Sequence, residues 1–461
     1  MRVVFATFFK ESMGGGAGRV AFEIAESFAR QGHETVLILP GTKTQVRKIA
    51  PHLRYLEIKS LSNEEDVAIP YLTVKNLQFL FNFLEKFSPQ VIHVHDFGPI
   101  CLVSQFWAIN HQTPFVYTSH VLPSKSSEFI GEKAELFGKF LETKLIQKYF
   151  ANFYRNCDAL VALNQPIVKE FAQRGFKQKT FLIPNGRNLK TYWSKKPALI
   201  SEENKQLTFI GHICRRKNQT YLVRVMEYLP ADYTLNLIGK GLSPESLKEL
   251  KNYIVKKKIK NVLFTGQIPH EKITEFLQKT HVFVSAAKIE VQSLVIIEAL
   301  ASGTPVVGLS NETVDELVDN QVGFWFGKKT PPKVFAAKVK EICELGSKEY
   351  QQLCQNAQKK VAHLDWPEIV KRTVSLYQKL IPEKKKNDSQ QQKRRSRLTR
   401  EILDLLPSSK TKTFLKKQIF NPSSKIKPKK SIFLLGSTVV VTFFMGVVYL
   451  LSRGSKKLLG Q

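Results

Sequence analysis

The chain has 461 residues, 43% of them hydrophobic, and a formal net charge of +31 from 70 Lys and Arg against 39 Asp and Glu. That length exceeds one ordinary domain and predicts two, with additional segments. The five cysteines (Cys101, Cys157, Cys214, Cys343 and Cys354) form no CxxC and no other tight pair, which argues against a zinc site or a disulfide framework and fits a reducing compartment.

Met1 to Phe9 is apolar but short and is followed by Lys10 and Glu11, so it reads as a buried first strand and not as a signal peptide. Further apolar runs follow at Thr35–Leu39, Val91–His95, Phe115–Ser119, Ala159–Leu163 and Thr180–Pro184. A second set comprises Leu207–Gly211, Thr234–Gly239, Asn261–Gly266, Val282–Ala286 and Pro305–Leu309. Helical periodicity fills many of the gaps: Arg19 to Gln31 puts Val20, Ile24 and Phe28 on one face and stops at Gly32. Strands alternating with helices imply parallel sheets covered on both faces, and two sets imply two doubly wound α/β domains joined near Asn185 to Ser201. Ligands of such sheets lie beyond the carboxyl ends of the strands, here in a cleft between the domains.

The charge is unevenly spread. Residues 383–430 carry sixteen Lys and Arg against four Asp and Glu, in a segment rich in Lys, Ser, Gln and Pro that reads as a disordered linker. Nucleic-acid binding is one reading of this run, but it abuts Ser431–Ser452, 22 residues without a charge. As a helix this stretch extends about 33 Å, against a hydrocarbon core of about 30 Å, and so predicts a transmembrane span. Lys412, Lys416, Lys417, Lys425, Lys427, Lys429 and Lys430 precede it, whereas the 453–461 tail carries only Arg453, Lys456 and Lys457. The heavier side is expected inside, which puts residues 1–430 in the cytoplasm at the face of the cytoplasmic membrane. The flanking lysines would also attract anionic lipid, each by on the order of 1 kcal/mol.

Three segments carry the candidate chemistry. Ser12 to Gly18 (SMGGGAG) joins the first strand to the first helix, where glycines let backbone amides approach a phosphate. The spacing is neither GxGxxG nor a Walker loop, and a flexible surface loop fits it equally. Leu207 to Asn218 (LTFIGHICRRKN) is a strand ending in glycine and then a basic cluster; Arg215, Arg216 and Lys217 suit a diphosphate clamp or a solvated basic turn. Glu290 and Glu298 stand in EVQSLVIIE, one at the mouth of a buried helix and the other about a turn inside it. A carboxylate within an apolar helix needs a partner: sugar or ribose hydroxyls, or a salt bridge.

Together these segments resemble family-four glycosyltransferases, retaining enzymes of GT-B fold, over nearly all of residues 1–380. The resemblance rests on GGGAGR with RQGHETVLI, VIHVHD (91–96), FVYTSH (115–120), LIPNG (182–186), FIGHICRRKN (209–218), NVLFTG (261–266) and the paired-glutamate segment ending ASGTPVV. IEVQSLVIIEA is also similar to the subgroup that glucosylates diacylglycerol. The resemblance implies an N-terminal acceptor-binding domain (1–186) and a C-terminal nucleotide-sugar-binding domain (187–382), both Rossmann-like. It implies that Lys217 holds the donor diphosphate, with Arg216 and His212 in the same set, that Glu298 binds ribose and that Glu290 binds the transferred sugar. His120 would lie near the reacting end of the sugar, with Gly15 and Gly16 on the phosphate side. His212 departs from the usual Arg, for which Arg215 or Arg216 would substitute, and Val291 and Ser293 stand where many members have glycine.

The implied reaction is a metal-independent hexosyl transfer with retention, from a nucleoside-diphosphate sugar through an oxocarbenium-like transition state. No pair of aspartates is spaced D-x-D, and no cofactor, metal or nucleic acid is expected. Residues 129–154 interleave Phe129, Phe137, Phe140, Tyr149, Phe150, Phe153 and Tyr154 with four lysines, a pattern that fits a membrane-interface helix or ordinary helix packing. With the C-terminal span, this favours a lipid-linked acceptor. The competing reading, prompted by His212, is a catalytically silent membrane scaffold that binds a nucleotide sugar or a partner enzyme.

Overall fold

A computed structural model describes residues 1–10, 16–62, 68–121, 124, 144–193 and 204–386. The chain divides into two units, residues 1–183 with 370–461 and residues 184–369. Gly15, most of the aromatic–basic segment and the stretch 431–452 lie outside the described residues, as does the basic linker from 387 on. Among the described residues no helix is long and apolar enough to cross a membrane.

The first unit is built on β1 (Arg2–Ala6), β2 (Glu34–Gly41), β3 (Gln45–Ala50), β4 (Leu53–Ser62), β5 (Ala68–Pro70), β6 (Val91–Val94), β7 (Phe115–Ser119), β8 (Ala159–Ala162) and β9 (Lys179–Leu182). Their order is β3-β4-β2-β1-β6-β7-β8-β9, with β5 on β4. From β4 to β9 every pairing is parallel. Parallel strands covered on both faces must be apolar throughout. Accordingly β6, β7 and β8 are buried along their whole length. Helix α1 (Gly16–Arg30) buries Val20, Ile24 and Phe28, the face its periodicity predicts, and ends before Gly32 at φ +80°.

Two features depart from the sequence expectation. Strands β3, β4 and β5 form antiparallel pairs at the sheet edge, where no strand was expected. The C-terminal helix Trp366–Lys386, expected to end with the second domain, passes from Val370 on into the first unit. There Tyr377 is fully buried and Arg372 donates to the Leu182 carbonyl at 2.9 Å. The helix also takes in Glu383 to Lys386, the first residues assigned to the linker.

Helix α4 (Lys144–Arg155, after α2, Val74–Phe87, and α3, Pro99–Asn110) covers the end of the aromatic–basic segment. Its Phe150, Phe153 and Tyr154 are core residues, with Phe153 and Tyr154 packed on the Tyr117 ring, so these three aromatics are not free to meet a membrane. All five cysteines are buried and free.

The second unit carries a parallel sheet in the order β12-β11-β10-β13-β14-β15. Its strands are β10 (Lys205–Ile210), β11 (Tyr233–Ile238), β12 (Val262–Gly266), β13 (Val282–Ser285), β14 (Val306–Leu309) and β15 (Gly323–Phe326). One hydrophobic cluster on Leu207, Leu235 and Val284 and a second on Ile210, Phe283 and Ile297 pack against it. Strand order reverses between β10 and β13, so the loops after these two strands flank the switch point where doubly wound sheets bind ligands.

Candidate active site

At that switch point the backbone closes tightly. Gly239, after β11, has φ +141°, and a Cβ there would lie 2.1 Å from the Gly211 carbonyl oxygen after β10. Only glycine permits both the dihedral and the approach. The β10 loop then runs as His212 to Asn218 and is pinned to the β13 loop: Lys288 N–H donates to the Arg216 carbonyl at 2.9 Å, and Asn218 Nδ2 to the Ala286 carbonyl at 3.3 Å.

This pinning brings two predicted elements together. Glu290 Oε2 accepts a hydrogen bond from Lys217 Nζ and lies 3.6 Å from Arg216 Nη1. Their side chains are 12–15% exposed, sheltered enough for charge to count and open enough for a ligand to enter. The loop carrying Glu290 is fixed from its other side. Glu290 N–H donates to Glu312 Oε2 at 3.0 Å, and Thr313 Oγ1 donates to the Glu290 carbonyl at 3.1 Å. Thr313 Oγ1 also accepts from Ser293 N–H, while Asn311 Oδ1 caps Thr313 and Val314. Arg215 is not part of this cluster: it is 81% exposed and 3.4 Å from Glu249. Of the two arginines that could replace the usual one, the fold brings only Arg216 to Glu290. His212 is half-buried, its carbonyl accepting from Gln219 Nε2 at 2.7 Å.

Glu298 lies one turn inside the helix Leu294–Ala301 and is 1% exposed. Its Oε1 accepts from Arg187, itself 2% exposed, and lies 3.2 Å from His270 Nε2, which in turn contacts the Tyr192 hydroxyl at 2.9 Å. Oε2 has no hydrogen-bond partner among the described residues. A buried carboxylate is thus paired through one oxygen and, among the described residues, unpaired at the other. Arg187 is held by its own backbone, whose N–H donates to the Leu364 carbonyl at 2.8 Å and whose carbonyl accepts from Trp366. The helix begins with no side-chain cap, which leaves its first amides for an anion. Sequence reasoning did not find Arg187, His270 or Tyr192; an arginine following NG reads as a solvated turn residue.

In the first unit, Gly16 is the exposed first residue of α1. His120, just past β7, is half-buried, and its Nε2 lies 2.9 Å from Nδ1 of His95, just past β6. The rings stack, with centroids 5.2 Å apart. His93 completes the row, its Nδ1 2.6 Å from the Tyr377 hydroxyl and its Nε2 2.7 Å from Thr118 Oγ1. Burial holds all three imidazoles neutral, driving His93 and His120 down to about 3 and His95 well below its usual value. Next to them Asp96 ties the loops after β1 and β6 together. It accepts from Thr7 Oγ1, Phe8 N–H, Gly98 N–H and Cys101 Sγ, and burial nevertheless raises its pKa.

Two family models match this chain: Glycosyltransferase Family 4 over residues 14–191 and Glycosyl transferases group 1 over residues 193–360. The chain is a glycosyltransferase. It is 23% identical to an uncharacterized glycosyltransferase of Methanocaldococcus jannaschii over 376 residues, 77% of this chain and 92% of that one. It is 22% identical to an alpha-monoglucosyldiacylglycerol synthase of Streptococcus pneumoniae over 277 residues, 55% of this chain and 61% of that one. Among solved structures, Anabaena HepE in complex with UDP and glucose matches with a TM-score of 0.63 at 18% identity, covering 82% of this chain and 99% of that one. The fold of the enzyme is therefore the two-domain α/β GT-B fold.

Proposed function

We propose that this glycosyltransferase moves a hexose from a nucleoside-diphosphate sugar to a hydroxyl of a lipid-linked acceptor, with retention, at the cytoplasmic face of a membrane. The observation that carries the reading is the Arg216–Lys217–Glu290 cluster at the switch point of the second sheet. Two cations beside an uncapped helix start suit a diphosphate, and a carboxylate between them suits the hydroxyls of the sugar it carries. Glu298 Oε2, buried and without a hydrogen-bond partner among the described residues, suits a ribose hydroxyl. In the reaction the bond from the anomeric carbon to the diphosphate breaks. A bond to the acceptor oxygen forms on the same face, and the acceptor proton leaves with the diphosphate. Lys217 and Arg216 would stabilise the charge that develops on the leaving group, so catalysis is positioning and electrostatics; by the resemblance, His120 is a further candidate for contact with substrate. We propose that the reaction needs no metal, because Lys217 and Arg216 can balance the charge of the leaving diphosphate.

The lipid acceptor is supported by the diacylglycerol-directed activity named for the Streptococcus relative and by the apolar stretch 431–452 with its basic flank. One observation favours the silent scaffold: both glutamates already have protein cations as partners. Turnover separates the two readings. Full-length protein is given detergent-solubilised lipid extract and a panel of nucleotide sugars, with and without chelator, and nucleoside diphosphate release is followed. Chelator-insensitive, lipid-dependent release that Glu290→Ala abolishes supports the transferase. Binding of a donor without release by any of the panel refutes the lipid-linked acceptor and leaves the scaffold or a soluble acceptor missing from the extract.

A further inference from the structure

The His95–His120 contact fixes more than a position. Each imidazole is neutral and carries one proton, so the 2.9 Å contact between His95 Nδ1 and His120 Nε2 holds one proton, from one ring or the other. If His120 donated through Nε2, His95 would accept at Nδ1 and carry its own proton on Nε2. That nitrogen is buried and has no partner, so this arrangement strands an N–H in the core. If His95 donates from Nδ1, its Nε2 is a bare acceptor, and the proton of His120 moves to Nδ1. Orphaned buried N–H groups are rarer than under-satisfied acceptors, so the second arrangement wins. His93 cannot relieve the first arrangement. Both its nitrogens are engaged, by Tyr377 and Thr118, and its ring only stacks on His95 at 4.9 Å.

We infer that His95 is a positioning residue that sets the tautomer of His120, so that His120 offers the substrate a fixed Nδ1–H donor and not a base. His120 is the half-buried member of the row, His93 and His95 being buried, and its Nδ1 makes no hydrogen bond among the described residues. Its partner is then an oxygen that accepts: a sugar hydroxyl or the oxygen of the acceptor. The inference rests on the proposed transferase function only for its kinetic consequence; the tautomer rests on the contact geometry together with the burial that keeps both rings neutral.

The test has two arms on the full chain. With histidine labelled at both ring nitrogens, long-range proton–nitrogen spectra read the tautomer directly, and loss of signals in His120→Asn assigns the ring. We expect Nδ1–H on His120; an Nε2–H tautomer overturns the inference whatever the kinetics. In the second arm, His95→Asn keeps a donor near the Nδ1 position and His95→Leu removes it. We expect His95→Leu to lower kcat on the order of tenfold to a hundredfold and His95→Asn to recover most of it, each leaving the KM for donor within a few-fold. Equal loss in both variants makes His95 a packing residue and overturns the positioning role. Unchanged turnover in His120→Ala removes the catalytic role of His120 but leaves the tautomer to the spectrum, so the two failures are distinguishable.

Discussion

Arg187→Met isolates the buried pair on which Glu298 depends. Arg187 and Glu298 are 2% and 1% exposed, and removing the guanidinium leaves the carboxylate, among the described residues, with the His270 imidazole at 3.2 Å. Breaking a buried pair from one side costs about 3–5 kcal/mol, because the surviving charge stays desolvated. Met fills part of the volume and His270 stays within 3.2 Å of the carboxylate, so the lower figure, about 3 kcal/mol, is expected. For a unit of this size that corresponds to a fall in Tm of about 6–12 °C. The double variant Arg187→Met with Glu298→Gln should be more stable than the sum of the singles implies, by about 1–3 kcal/mol, since the orphaned charge is gone. Urea unfolding followed by tryptophan fluorescence suits the measurement, because Trp366 packs on Gly186 and bonds the Arg187 carbonyl. A cost below about 1 kcal/mol for Arg187→Met, or strict additivity in the cycle, would refute the claim that this pair is a buried, coupled unit.

Other consequences are open to simpler assays. Lys217→Met should lower kcat/KM for the donor by about 10²–10³, the range for losing one preorganised contact to developing charge, and steady-state kinetics over donor concentration would show an unchanged value if Lys217 is merely a partner for Glu290. Gly239→Ala drives a methyl into the Gly211 carbonyl and should cost several kcal/mol or prevent folding of the second unit; a melting curve within 2 °C of the parent's would contradict the close approach. The buried imidazoles give a pH dependence with a definite sign. His93 and His95 stay neutral when folded and protonate below about 6.5 when unfolded, so the unfolded state binds more protons and stability falls as pH falls. Between pH 7 and 5 each should cost about 2 kcal/mol, offset in part by Asp96, whose raised pKa acts with opposite sign; denaturation midpoints equal at pH 7 and 5 would refute it.

What the sequence revealed follows from where each element is buried. Runs such as Val91–Val94 and Val306–Leu309 are buried on both faces and therefore announce themselves as uninterrupted apolar stretches. Gln45–Ala50 does not: it lies at the edge of its sheet, alternates half-buried with exposed, and carries Arg47 paired with Glu57, so it reads as polar loop. The same contrast divides the site. Lys217 and Glu290 were legible because each lies in a loop directly after an obvious strand. The Arg187–Glu298 pair joins positions 111 apart, and a sequence cannot report that an arginine is buried. His95 left a faint signal, a second histidine two positions after His93 on one side of an apolar strand, which by alternation puts both on the same face.

The departure at His212 bears on the same cluster. By the resemblance, an arginine at position 212 would add a third cation to the donor site; here Arg216 and Lys217 both meet Glu290. The formal charges of the three side chains sum to a single positive charge, and Glu290 pairs with both cations where they are only 12–15% exposed. Under the proposed function, a diphosphate brings about two negative charges and competes with Glu290 for both cations. The carboxylate is then released to accept from the sugar that the diphosphate carries. A third cation would strengthen donor binding but also the grip on the departing nucleoside diphosphate, and tighter binding of both states alike does not raise kcat. Restoring His212→Arg should therefore lower the KM for donor while leaving kcat unchanged or reduced, with product inhibition by nucleoside diphosphate strengthened in parallel. A rise in kcat instead would mean that the missing arginine acts on the transition state and that Arg216 does not replace it.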